Sequence, residues 1–253
     1  MKRTLQALFV FLLLGVVKLP LEHRAEAELR GHDMLYAPLD YTARDAVGQM
    51  GFAATLGGLR SLVASVTYLM AYTAFEDVNW TRVDMLCGLT TLLQPRFDVY
   101  WDDASGHMAY DAASFYFYDE TRPSLYRKQL YRQYVQRGID YLNDGLRHLP
   151  HSDKLHTSLG HLYSRRQQPA NHELAGVHYL LAFQNGGLPV NERLAAYEWA
   201  QLDNAPERWK QAYEILKRSK KTLDAMRVRL PGLITAMHTL EEKLAIPQEN
   251  RIR

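Results

Sequence analysis

Gly138, Leu142 and Gly145 recur at helical spacing, Pro150 interrupts, and Leu159, Gly160 and Tyr163 resume the same spacing. Residues three and four apart share one face of a helix, and a proline between two such runs separates two helices. Each run carries one apolar stripe too wide to leave in water and too small to make a core alone. Stacking the helices on their neighbours solves both problems. The chain is therefore expected to be all-α, and no segment alternates with period two between hairpin turns.

The same pattern extends in both directions. Gly57-Gly58 breaks the chain before a helix in which Leu62, Val66, Leu69 and Thr73 form a stripe, with Ala71 and Ala74 as small packing residues. Asn79 is an N-cap for a second helix with the stripe Val83, Leu86, Cys87, Thr90 and Leu93, ended by Pro95. A third helix runs from about Val99 to Ala112 with Trp101, Ala104, Met108 and Ala109 inward, and a longer one from about Ser124 to Leu149. Helices near 152–165 and 172–185 follow, the first capped by Ser152 and the second closed by Gly186-Gly187. Asn191 is read as the cap of the next helix, and Asn204-Ala205-Pro206 opens another. A last helix is expected from about Thr222 to Leu244, broken or kinked at Pro231.

Counted from Asp153, Leu159, Gly160 and Tyr163 occupy positions 7, 8 and 11 of a unit. Gly138, Leu142, Gly145 and Pro150 occupy positions 20, 24, 27 and 32 of the preceding unit. This resembles the tetratricopeptide repeat, with its period of about 34 residues. The runs Gly57-Gly58-Leu59-Arg60-Ser61-Leu62-Val63-Ala64, Leu93-Gln94-Pro95-Arg96-Phe97 and His107-Met108-Ala109-Tyr110 resemble a group of N-terminally anchored bacterial repeat proteins of unassigned function. The resemblance implies a TPR-like helical-repeat solenoid of antiparallel helix pairs and, by analogy, a scaffold or adaptor role. Repeats would occupy 57–221 with an insertion near 114–123 and in the longer helix that follows, and 222–253 would form a capping helix and tail.

The N-terminus carries a targeting signal. Lys2 and Arg3 precede the apolar run Leu5 to Val17, and Lys18 and Arg24 follow it. The run is shorter than the about 20 residues a spanning helix needs and suits a signal-peptide core or a short anchor extended by snorkelling. Residues 1–27 are expected to be a retained signal anchor, with Ala25-Glu26-Ala27 as the site where a peptidase would cut it as a signal peptide. No cysteine follows the run, so a lipoprotein box is absent. Residues 28–56, with Gly31, Pro38, Gly48 and Gly51, read as an irregular entry. The positive N-terminus places the expected location at a bacterial inner membrane, single-pass, with the body in the periplasm.

A hydrophobic fraction of 47% and a charged fraction of 23% are those of a folded protein. The net charge of +2 gives no footprint for nucleic acid, and the short basic run Lys217 to Lys221 adds none. Cys87 is the sole cysteine, reads as a small buried hydrophobe, and permits no internal disulfide.

Three groups of residues bear on function. Tyr110, Tyr116, Tyr118, Tyr126, Tyr131, Tyr134 and Tyr141, with Phe115 and Phe117, crowd the expected insertion and suit a protein surface or a cover over the repeats. In the repeat register, Lys154, Thr157, His161 and Arg165, and in the first unit Ser65, Tyr68, Tyr72 and Phe75, would line a groove. Lys154, His161 and Arg165 would suit a carboxylate or an acidic peptide end. His172-Glu173 followed by His178 fails as a zinc site because the rings stand six apart rather than four. Asp102 and Asp103 point about 100° apart on a helix and do not converge. No phosphate-binding glycine loop and no Gly-x-Ser-x-Gly elbow occurs.

The expectation is a protein that is no enzyme, uses no cofactor or metal, and binds a protein or peptide partner. The residues expected to bind it are Tyr68, Tyr72, Tyr116, Tyr118, Tyr131, Lys154, His161 and Arg165. Two alternatives stand beside it. One is a small-ligand protein or enzyme using a pocket near His107, Tyr110 and Asp111. The other is a structural subunit of a permanent membrane complex.

Overall fold

A computed structural model describes residues 58–252, and all regular structure in them is helical. The signal anchor, the irregular entry and residue 57 lie outside the described residues. None of the described helices is long and apolar enough to cross a membrane.

α1 (Arg60–Glu76) packs on α2 (Trp80–Leu93), which Asn79 caps by accepting the Arg82 N–H at 3.1 Å. α3 (Asp98–Gly106) runs through a π-helical turn, His107–Ala112, into α4 (Ala113–Tyr118). The backbone stays in the right-handed helical region across both junctions, so these segments make one rod. The rod packs along α5 (Ser124–His148). α6 (Asp153–His161) is capped by Ser152 and ends in a second π turn, Leu162–Arg166. α7 (His172–Gln184), α8 (Pro189–Ala200), α9 (Pro206–Ala225) and α10 (Pro231–Lys243) follow, each packed on the helix before it.

Large side chains seat on glycines where these helices meet. A Cβ on Gly160 would come within 2.6 Å of the Tyr179 ring, and one on Gly176 would overlap the Trp199 indole. Trp199 is fully buried and carries the Arg208 guanidinium 4.6 Å above its ring. Arg208 in turn pairs with Glu173 at 2.5 Å, so α7, α8 and α9 are locked at one point. Gly186, with φ +95°, ends α7 by the left-handed turn that glycine tolerates.

Several sequence expectations need correction. Leu62, Val66, Leu69 and Thr73 share a face of α1, but that face is exposed; the buried face is Ala64, Thr67, Ala71 and Ala74. Small residues let α1 approach α2 closely, which turns the large ones outward. The segment 114–123 is helix through Tyr118 and then a tight turn in which Asp119 accepts from Thr121 and Arg122. The longer helix expected after it is α5, 25 residues from Ser124 to His148. Asn191 is no cap: it lies in the first turn of α8, buried, and donates to Thr157 Oγ at 3.0 Å. Pro231 starts α10 rather than kinking a helix from Thr222, because α9 continues to Ala225.

Candidate functional site

The aromatic residues of the first helices form a continuous chain of ring contacts. Phe75 meets Trp80 edge-on at 5.6 Å, Trp80 meets Phe115 at 5.8 Å, and Phe115 meets Tyr116 at 5.2 Å. Tyr116 stacks on Tyr134 at 5.1 Å with an interplanar angle of 17°. Arg122 lies 5.4 Å over the outer side of Tyr116 and is tied by Asp119 at 2.6 Å. Burial and the neighbouring Tyr116 hydroxyl push the Tyr134 phenol above its ordinary range.

Trp80 and Tyr134 from this chain wall a cleft of about 470 Å³ between α2 and α5, with Thr81, Gln133, Gln136 and Asp140 on its rim. Its floor is a fixed polar cluster. Arg137 Nε donates to Asp84 at 2.9 Å and the Tyr141 hydroxyl donates to the same carboxylate at 2.6 Å. The guanidinium also lies 4.4 Å over the Tyr141 ring. Burial and the Asp84 charge push the Tyr141 phenol up, so it stays protonated as a donor. Arg137 is thus committed to Asp84 and is not a free clamp for a ligand carboxylate. The indole N–H of Trp80 is buried without a partner. The arrangement offers apolar ring faces and side-chain amides, which suits recognition of a peptide or a small polar molecule.

A second cluster joins the two π turns. Arg166 donates to the Ala109 carbonyl at 3.0 Å, the Tyr110 carbonyl at 3.4 Å and Ser114 Oγ at 2.9 Å. Its guanidinium lies between the rings of Tyr110 and Tyr131, 5.0 and 5.1 Å from them. π turns leave carbonyls out of the regular ladder, and here the Arg166 guanidinium takes up two of them. Tyr131 is buried and donates to the Arg166 carbonyl at 2.8 Å. It therefore cannot form part of a contact surface as expected.

The other expected site residues are dispersed. Tyr116 adjoins the cleft, and Tyr118, 74% exposed, meets the half-buried Phe117 edge-on at 5.2 Å. Tyr68 donates to Asp103 at 2.6 Å, and that hydrogen bond, with burial, lifts its phenol to about 12. Tyr72, one helical turn on, is exposed and stacks on Phe75 at 6.3 Å. Lys154 faces Asp102 at 3.7 Å. His161 takes a hydrogen bond with the Tyr179 hydroxyl at 2.7 Å, and burial depresses its pKa. Arg165 is exposed. Lys154 and His161 thus each have a partner, and no open cationic strip results. His107 and Asp111 pair at 3.1 Å while Tyr110 lies under Arg166, so these three do not converge.

Sequence reasoning missed the Asp84–Arg137–Tyr141 cluster and a histidine pair, buried His156 and half-buried His178, whose Nδ1 atoms are 3.0 Å apart. For the first the sequence showed only that Arg137 and Tyr141, four apart, share one helix face; that Asp84 of α2 lies opposite them is tertiary. Cys87 is buried, and burial pushes its thiol up to about 12. Among the described residues no three His, Cys, Asp or Glu side chains are grouped to hold a metal ion. The chain matches no protein-family model, no curated protein and no solved structure.

Proposed function

We propose that this chain is a membrane-anchored, TPR-like scaffold that binds a protein partner in a bacterial envelope and catalyses no reaction. The repeat reading is supported by helix spacing. α6 and α8 begin at Asp153 and Pro189, and α7 and α9 at His172 and Pro206, close to a period of about 34 residues. Seating of Tyr179 and Trp199 on glycines fits a solenoid of antiparallel pairs. The anchor and the periplasmic body rest on residues 1–27.

The observation that carries the binding role is the cleft between α2 and α5, with its aromatic wall and amide rim. Aromatic side chains give large contact area at low entropic cost. The partner is then a protein segment that brings an apolar anchor for the ring wall and polar groups for the amide rim. The test is photo-crosslinking in native cells, with the probe at Thr81, Tyr116 and Gln133 in turn and at Lys210 as a remote control. One recurrent protein adduct from the three cleft positions, absent from Lys210, is the expected result. Identical adducts at all four positions, or none in a correctly localised chain, would overturn it.

The cleft volume favours a second reading, a small-ligand protein, because it lies within the range of small-molecule sites, about 300–1,000 Å³. Native mass spectrometry of the purified chain, with and without Gln133→Ala, separates the two. A mass adduct lost in the variant supports the small-ligand reading.

A further inference from the structure

The two faces of α1 differ in side-chain size. Ala64, Thr67, Ala71 and Ala74 are buried against the body. Outward, Leu59, Leu62, Val66, Leu69 and Thr73 alternate by three and four residues, which is a heptad seam. Leu59, Val66 and Thr73 take its a positions and Leu62 and Leu69 its d positions. In this register the buried small residues fall at b and f, on the far side of the helix. Leu62 is 58% exposed, Val66 49% and Leu69 65%. No Asp, Glu, Lys or Arg occurs between Arg60 and Glu76. A helix apolar on both faces is ordinarily covered on both, and the terminal unit of a repeat array ordinarily closes with a polar face. Among the described residues nothing covers the outer face of α1, the first described helix, and that face carries no charged side chain.

We infer that α1 is a self-association surface: its seam pairs with the seam of a second copy of this chain as a short, parallel, two-stranded coiled coil. Val66 at a, between Leu62 and Leu69 at d, follows the pattern that favours two parallel strands. The flanking e and g positions hold Val63, Met70, Ser65 and Tyr72, all uncharged, so two identical copies meet without opposing like charges. The remaining argument is connectivity, and this step alone rests on the anchor reading above. Residues 1–57 join the N-terminal end of α1, so a parallel pair brings both upstream segments out at one end. Two anchors then reach one membrane.

The test uses the full chain in membranes, with Val66→Cys and Leu69→Cys as seam probes and Lys128→Cys, exposed on α5, as the control. Cys87 is buried and stays silent. Under mild oxidation both seam variants are expected to give a product of doubled mass at least about tenfold faster than the control. A Leu62→Glu/Leu69→Glu variant is expected to turn the purified dimer into a monomer with unchanged helical circular dichroism, since both side chains point away from their own body. Two results would overturn the inference. One is a dimer that persists in the glutamate variant, which would place the contact elsewhere. The other is a monomeric unsubstituted chain together with a Val66→Cys variant whose thiol resists alkylation, which would mean that the chain's own upstream segment covers the seam. Neither result bears on the cleft, whose crosslinks are scored separately.

Discussion

α10 turns Leu233, Met237 and Leu240 inward and Thr235, His238 and Glu242 outward, while α1 turns alanines inward and leucines outward. The last helix also collects its polar groups. The buried Glu241 carboxylate accepts from Tyr213 at 3.0 Å, from His238 at 3.0 Å and from the Ile252 N–H at 2.7 Å, which folds the tail back onto the core. Among the described residues no such closure lies on the outer face of α1. The difference teaches that the same helical period serves opposite purposes. The C-terminal helices bury their large side chains and pair their polar groups, whereas α1 leaves its large side chains exposed among the described residues and α2 shares an open aromatic cleft with α5.

That contrast makes measurable claims, the largest in the sealed region. Trp199→Ala removes the side chain that locks α7, α8 and α9 and is expected to cost about 3–5 kcal/mol. Chemical denaturation would register it as a lower midpoint. A loss below about 1 kcal/mol would mean that this region is not the stable part of the molecule. Glu241→Ala strands the Tyr213 hydroxyl and the Ile252 N–H and is expected to cost about 1–3 kcal/mol. Hydrogen exchange at Ile252 should accelerate in step, and unchanged protection there would break the link between Glu241 and the tail.

Acid should weaken the same region. Burial and the neighbouring His156 hold His178 at about 4, against 6.5 for a free histidine. Between those values the unfolded chain binds a proton that the folded chain refuses, so stability is full above 6.5 and falls as pH drops toward 4. Each pKa unit of that difference is worth about 1.4 kcal/mol. Below this window Glu241 adds to the loss. Burial alone would raise its carboxyl, but the bonds from Ile252, His238 and Tyr213 hold it below 4.5, and that stabilisation disappears as pH falls through its folded value. Melting temperatures from pH 7.5 down should show this slope, and His178→Phe should flatten its upper part.

The smallest expected effect sharpens the comparison most. Leu69→Gln lies on the open face of α1 and should change the stability of the isolated monomer by no more than about 0.5 kcal/mol. A loss as large as that of Trp199→Ala would show that α1 is covered within its own chain, and the contrast between the two regions would collapse.

Much of the helical pattern was legible because its causes are local. Asn79 and Ser152 cap where a side-chain oxygen can reach an N–H three residues on, and Pro206 and Gly186 stand where a helix starts and stops. The stripe Val83, Leu86, Cys87, Thr90 and Leu93 is buried as its spacing implies. Less of the candidate site was legible. Tyr116 and Tyr131 come from one Tyr-rich stretch and read alike, yet the first adjoins the cleft and the second is buried under Arg166. Asp84 and Arg137 stand 53 residues apart, and no local spacing announces their pairing. Asn191 has a cap's chemistry, but the proline two residues earlier had already started the helix.

By itself the sequence determined that the described chain is helical, where most helices begin and end, and which residues share a face of each. Those follow from backbone hydrogen bonding and side-chain period, which act over a few residues. Only the tertiary structure decided which face meets a neighbour. On α1 the periodicity of Leu62, Val66 and Leu69 is that of any core stripe, and the alanines opposite them won the inner position because helices approach most closely across small side chains.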